Sequence, residues 1–145
     1  ELHPSLLENL GLEEALRSEC ETFAQRTGLL IGFESRDVPQ ELPLEVSLVL
    51  YRIAQEALRN AVTHSGAACV RVRLEWSERD LLLAVEDEGR GFSPADLGNR
   101  GGIGLVSMAE RSRLVSAEFS IESRPGGGTR VSVRVPWTPS ERGLA

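Results

Sequence analysis

Val70-Arg71-Val72-Arg73-Leu74-Glu75-Trp76, a turn at Ser77 to Asp80, and then Leu81-Leu82-Leu83-Ala84-Val85-Glu86-Asp87-Glu88-Gly89-Arg90-Gly91 form the stretch on which the fold turns. Its first seven residues alternate apolar and charged, the pattern of a strand with one wet face. Leu81 to Val85 is apolar throughout, which predicts a strand at the centre of a sheet. That strand runs straight into Asp87, and glycines follow two and four residues later. A carboxylate at a strand end is well placed to accept hydrogen bonds from a ligand amino group. Two glycines let backbone pass close to a flat ligand without Cβ collisions. A simple acidic turn would carry the same letters.

Upstream, Leu12 to Arg26 predicts a helix, with Leu12, Leu16, Cys20, Phe23 and Ala24 at helical spacing and Gly28 at the stop. Leu29 to Glu34 is a short strand, and Pro39 and Pro43 bracket a loop. Leu44 to His64 is the longest predicted helix, with Pro43 at its first turn and Gly66 at its end. Its apolar stripe is Leu50, Ala54, Ala57, Leu58, Ala61 and Val62, while Glu56 and Asn60 lie one above the other on one face. Downstream, Gly89 to Gly104 is a glycine-rich loop and Ile103 to Val115 a helix. Two alternating strands, Ala117 to Glu122 and Val131 to Val135, flank a turn at Pro125 to Gly128, and Pro136 to Ala145 is a tail. The grouping predicts an α+β two-layer sandwich, a mixed and mostly antiparallel sheet covered on one face by helices.

Composition narrows the function. The chain has 145 residues, enough for one domain that buries roughly 70% of its unfolded surface. Every one of its 16 basic residues is Arg. Without Lys it cannot be a P-loop NTPase, a eukaryotic-type protein kinase or a Schiff-base enzyme. A net charge of −6 argues against a nucleic-acid binder, whose footprint is basic. No apolar run approaches the roughly 18 residues of a membrane helix. Cys20 and Cys69 have neither CxxC nor Cys/His spacing, so both are expected to be buried, small apolar thiols. The chain begins without Met, in mid-pattern, and reads as a piece of a longer protein.

Nine of the 14 glycines fall between Gly89 and Gly128, so something is approached closely by backbone there. Gly98-Asn99-Arg100-Gly101-Gly102-Ile103-Gly104-Leu105 leads into a helix, and N–H groups at a helix N-terminus suit an anion. The same spacing imitates a dinucleotide fingerprint, but that motif should follow a strand and open a βαβ unit, and here a hairpin lies downstream. Gly126-Gly127-Gly128-Thr129 alone is a glycine turn between strands. In series the motifs are ExxxN on a helix, DxGxG after a strand, GxGL opening a helix, and GGGT before a last strand. That series resembles the ATP-binding domain shared by sensor histidine kinases, gyrase-type topoisomerases, heat-shock chaperones and mismatch-repair ATPases, the GHKL superfamily. It covers about Leu44 to Pro136. Tyr51-Arg52-Ile53-Ala54-Gln55-Glu56-Ala57-Leu58-Arg59-Asn60-Ala61-Val62-Thr63-His64 is similar to the N box of histidine kinases of the nitrate-sensor and desaturase-thermosensor type. Leu10-Gly11-Leu12-Glu13-Glu14-Ala15-Leu16 and Gly102-Ile103-Gly104-Leu105-Val106-Ser107-Met108 with Glu110-Arg111 are similar to the same subfamily.

The resemblance implies that Asp87 accepts the adenine amino group, that Gly89 and Gly91 line the base, and that Thr129 supports Asp87 through water. It implies Asn60 as a ligand of Mg²⁺ that bridges the ATP phosphates, with Gly102, Gly104 and Leu105 at the phosphates. Glu56 would act as general base or polarise the phosphoacceptor histidine. Positioning and charge neutralisation do most of the catalysis in such phosphoryl transfer. With no Lys, Arg59 and Arg100 are the candidates for a cationic phosphate contact; Thr63 stands where the subfamily often has Lys. Phe92 to Gly101 would be a lid, mobile without ATP. Glu1-Leu2-His3 resembles a phosphoacceptor string, but Pro4 follows where the family has an acidic residue. Residues 1–11 are therefore read as the end of a dimerisation helix, 12–137 as the catalytic domain and 138–145 as a tail. His64 would cap its helix or line the site. The implied partners are ATP, the dimerisation and phosphoacceptor domain, and a response regulator. The implied parent is a homodimer whose catalytic domain is cytoplasmic and touches neither nucleic acid nor membrane. A GHKL serine kinase acting on an anti-sigma-factor antagonist, and a degenerate nucleotide-binding or interaction module, are the alternatives.

Overall fold

A computed structural model describes residues 4–91 and 102–138. They contain three α-helices, α1 (Pro4–Thr27), α2 (Leu44–Asn60) and α3 (Gly102–Leu114). Five strands accompany them: β1 (Leu30–Arg36), β2 (Cys69–Ser77), β3 (Asp80–Asp87), β4 (Glu118–Ser123) and β5 (Thr129–Pro136). The strands form one sheet in the order β1-β2-β3-β5-β4. β1 runs parallel to β2, and every other neighbouring pair is antiparallel. The expected α+β sandwich with a mixed, mostly antiparallel sheet is what forms, and the apolar run Leu81 to Val85 lies in its central strand. Phe92 to Gly101, His3 and the tail beyond residue 138 lie outside the described residues.

Alternation decides which face of the sheet is covered. Val70, Val72 and Leu74 on β2, Leu81, Leu83 and Val85 on β3, and Val131, Val133 and Val135 on β5 are all buried. They meet a helical layer that contributes Leu16 of α1, Leu50, Ile53 and Leu58 of α2, and Met108 of α3. Each of these five helical side chains is at most 1% exposed. Burying a Leu or Ile of this kind stabilises the fold by about 1.5–3 kcal/mol. The other face is polar. Glu86 sits there in register between Arg71 and Arg130, and its carboxylate is within 3.8 Å of Arg71 and Arg73 and 3.2 Å of Arg130.

α1 is two helical pieces, because Gly11 has φ 82° and ψ 162°, outside the helical region. The second piece buries Leu12, Leu16, Cys20 and Phe23 of the stripe expected from spacing, while Ala24 is half-buried. The Tyr51 hydroxyl of α2 donates to Glu19 of α1 at 2.8 Å, and the Ser35 hydroxyl of β1 donates to Glu13. These bonds tie α1 to its two neighbours. Cys20 is buried, but Cys69 is exposed. Cys69 is one residue out of phase with Val70, so strand alternation turns it away from the core.

Candidate functional site

Two groups of residues assemble at one end of the α/β layer. The first joins the end of β3 to the start of β5. Asp87 closes β3 and is paired in register with Thr129, the first residue of β5. Parity places both on the helix-covered face, since Val85 and Val131, two residues away, are buried. Asp87 Oδ1 accepts the Gly89 amide at 2.8 Å, which orients the carboxylate from its own turn. The turns then close on each other. Gly91 has φ 67°, and a Cβ there would collide with the backbone oxygen of Arg124 and lie 2.9 Å from that of Gly128. A Cβ on Gly128, at φ 79°, would strike the Asp87 carbonyl oxygen. Glycine at both positions is a packing requirement: backbone lies where a side chain would begin. The Gly126 amide donates to the Arg90 carbonyl oxygen, which adds a direct bond between the two turns.

The second group joins α2 to α3. Glu56 and Asn60 occupy successive turns of α2, both half-buried. The Glu56 carboxylate is gripped from two sides. Arg59 Nη1 donates to Oε1 at 2.7 Å, and Oε2 lies so near Gly104 that a Cβ there would be 2.7 Å away. Gly104 belongs to the first turn of α3, so the acidic side chain abuts a helix N-terminus, where the dipole favours negative charge. Gly102 opens α3, and Leu105, 8% exposed, anchors its first turn in the core with Met108. The α-helix gives way after Asn60 to a π-helical turn, Ala61–Ser65, which ends at left-handed Gly66. Such turns are frequent at functional sites. The Arg90 guanidinium lies against Gly66, so the loop after β3 also touches the end of α2.

The structure thus brings Asp87, Gly89, Gly91 and Thr129 together, and separately Glu56, Gly104 and the start of α3. Asn60 stands between Glu56 and the π turn. A groove of about 420 Å³ between α1 and α2 is a different place: Glu19, Tyr51, Arg52 and Arg59 line it, and neither Asp87 nor Thr129 does. Burial and the bond to Glu19 push the Tyr51 hydroxyl well above the usual phenol range, so it stays a neutral donor. Burial pushes the Cys20 thiol up to about 12, which leaves it unreactive. Sequence reasoning missed Ser123. Its hydroxyl contacts both the Gly128 carbonyl oxygen, at 3.0 Å, and Thr129 Oγ1, at 2.8 Å. The only signal was its place two residues after Ile121 in an alternating strand, and that means little until β4 is paired with β5.

The family described as histidine kinase-, DNA gyrase B- and HSP90-like ATPase matches residues 45–139, well over half the chain. The chain belongs to this family. Among its curated relatives is the oxygen sensor histidine kinase NreB of Staphylococcus carnosus (strain TM300), 36% identical over 138 residues, covering 95% of this chain and 40% of that protein. Another is the signal transduction histidine-protein kinase/phosphatase DegS of Brevibacillus brevis, 30% identical over 141 residues, covering 97% of this chain and 36% of that protein. The chain therefore spans less than half the length of either. In fold, this ATPase-family domain is similar to the histidine kinase domain of the blue-light activated histidine kinase of Erythrobacter litoralis EL346. That match has a TM-score of 0.71 at 24% identity and covers 92% of this chain and 69% of that one. Full-length ShkA, solved in complex with AMPPNP, gives a TM-score of 0.70 at 19% identity over 87% of this chain and 29% of its own. The chain is thus an ATP-binding type of domain, homologous to the catalytic domains of sensor histidine kinases. Among the described residues no helix is long and apolar enough to cross a membrane.

Proposed function

We propose that this domain binds Mg-ATP and transfers the γ-phosphoryl group to a histidine on a dimerisation domain, as the catalytic part of a two-component sensor kinase. The observation that carries the reading is the contact of Glu56 with the start of α3, which sets an acid from the ExxxN helix beside the GxGL turn. In this reading Asp87, oriented by the Gly89 amide, accepts the adenine amino group, and Thr129 supports it from the neighbouring strand. Gly91 would meet the base through its own backbone, since its side-chain position is taken by the backbone of Arg124 and Gly128. Gly102 and Gly104 offer N–H groups to the phosphates. Glu56 acts on the phosphoacceptor imidazole, as base or as polarising partner, and Arg59 holds its carboxylate in place.

Among the described residues no group of three or more His, Cys, Asp or Glu could cage a metal. Magnesium keeps most of its waters and takes one or two protein oxygens plus substrate phosphates. The Asn60 side-chain oxygen would supply the protein ligand. Bound there, magnesium would neutralise charge on the phosphates. The remaining length of the curated relatives leaves room for the dimerisation domain and for sensing parts. We place residues 1–11 with the dimerisation helix, split from residues 12–137 at Gly11. Further proposed are a cytoplasmic location, a homodimeric parent and a response regulator as the next phosphoacceptor.

Calorimetry with Mg-ATP tests the site. Wild type should bind, and Asp87→Asn should weaken binding by roughly 10- to 100-fold, the worth of a hydrogen bond to a charged group. Asn60→Asp should change the magnesium dependence of binding. Glu56→Gln should keep nucleotide affinity and lose phosphotransfer to an added dimerisation domain. Absence of wild-type binding, or unchanged affinity in Asp87→Asn, overturns the assignment.

A further inference from the structure

Asp87, Thr129 and Ser123 lie in one row across β3, β5 and β4. All three sit on the helix-covered face, two residues on from Val85, before Val131 and after Ile121, which pack into the core. The Ser123 hydroxyl is 3.0 Å from the Gly128 carbonyl oxygen and 2.8 Å from Thr129 Oγ1. A serine hydroxyl carries one proton, and a carbonyl oxygen only accepts. Both contacts are therefore satisfied in one way: Ser123 donates to Gly128, and Thr129 donates to Ser123. With its proton committed, the Thr129 oxygen has only acceptor capacity left. Beside it in the row, the Asp87 carboxylate is acceptor-only when ionised. The edge made by the two strands thus accepts hydrogen bonds and offers none from these side chains.

We propose that Ser123 is a specificity-determining positioning residue: it fixes the polarity of the Thr129 hydroxyl and so makes the site select a purine whose edge carries an amino group. The inference rests on the nucleotide reading above and deepens it. An amino-bearing base donates to Asp87 directly and to Thr129 directly or through a bridging water. A base with a carbonyl at that position brings an acceptor to acceptors and leaves polar groups unpaired, which costs more than a lost bond alone. Without Ser123 the Thr129 hydroxyl is free to rotate and to donate, and the selection relaxes.

The experiment is a double-mutant cycle, with Mg-ATP and Mg-inosine triphosphate affinities measured by calorimetry or competition well below each variant's melting temperature. Ser123→Ala should weaken Mg-ATP binding roughly three- to tenfold, the worth of one hydrogen bond. It should change the inosine nucleotide less, so the preference for ATP narrows. Ser123→Thr, which keeps the hydroxyl, should restore both. In a Thr129→Val background Ser123→Ala should have no further effect, because the residue it acts through has lost its hydroxyl. Wild-type affinity in Ser123→Ala, an equal loss for both nucleotides, or effects that multiply in the double variant would each overturn the proposal. Asp87→Asn separates the two levels. If it binds Mg-ATP as wild type does, the nucleotide reading has failed; if it loses binding while Ser123→Ala does not, only this inference has.

Discussion

At the scale of single residues the site is a set of close approaches. The backbone oxygen of Arg124 lies where a Cβ of Gly91 would stand, and the Asp87 carbonyl oxygen where one of Gly128 would. Both glycines also hold left-handed φ values, 67° and 79°. Gly91→Ala therefore combines backbone strain with a clash that no rotamer relieves. It should lower stability by about 3 kcal/mol or more, read as a drop in the urea midpoint. Gly104→Ala is a different case, because it meets only the far end of the Glu56 side chain. A swing of Glu56 relieves that contact, so the substitution should alter phosphotransfer before it alters stability. The glycine spacing was legible in the chain, and so was Asp87 at a strand end. Ser123 was not, because its value depends on which strand lies beside it and in what register.

Among the elements, the sheet is asymmetric. Its helix-side rows are aliphatic, and its open side carries alternating charge. Glu86 is the hub of that side, flanked in register by Arg71 and Arg130, with Arg73 nearby. These side chains are 25–62% exposed, so the interactions are screened and individually weak. Glu86→Gln leaves three guanidinium groups without their shared partner. It should cost about 1 kcal/mol at low ionic strength and less in high salt, while nucleotide affinity stays unchanged. A chemical denaturation series in urea at two salt concentrations checks this. Helix α1 begins at Pro4, well before the expected Leu12, with the kink at Gly11 between, while the other helix ends moved by a few residues. Periodicity ran α2 on to His64, whereas the α-helix stops at Asn60 and a π turn completes the span to Ser65. Apolar spacing does not distinguish a π turn from one more α turn, but the wider turn rotates the residues after Ala61 away from their α-helical directions. Val62, counted in the buried stripe by spacing, is 38% exposed for the same reason.

For the whole molecule, two buried acids set the alkaline limit. The Cys20 thiol is raised from an ordinary 9.0 to about 12 by burial, and the Tyr51 phenol is raised above its ordinary 10.0 by burial and its bond to Glu19. Both are neutral in the fold, whereas the unfolded chain ionises them from about pH 9 upward. Between pH 9 and 12 the unfolded state thus binds fewer protons than the native state, and stability falls as pH rises. The slope is at most about 1.4 kcal/mol per pH unit for each group, and none of it appears below pH 8. Cys20→Ala should flatten the first part of that decline, as seen in unfolding midpoints measured from pH 8 to 11.

The chain by itself determined the element types, the central place of Leu81 to Val85, and the four motifs in order, because hydrophobic period and glycine spacing are local properties. It also excluded lysine-dependent phosphate chemistry outright. Only the tertiary structure decided that Glu56 touches Gly104, that Gly91 and Gly128 are pressed against facing backbone, and that Ser123 shares a row with Thr129 and Asp87. Those facts rest on strand register and helix packing, which join residues tens of positions apart. A shift of one residue in strand pairing would have broken the row of Asp87, Thr129 and Ser123 by turning its members to opposite faces.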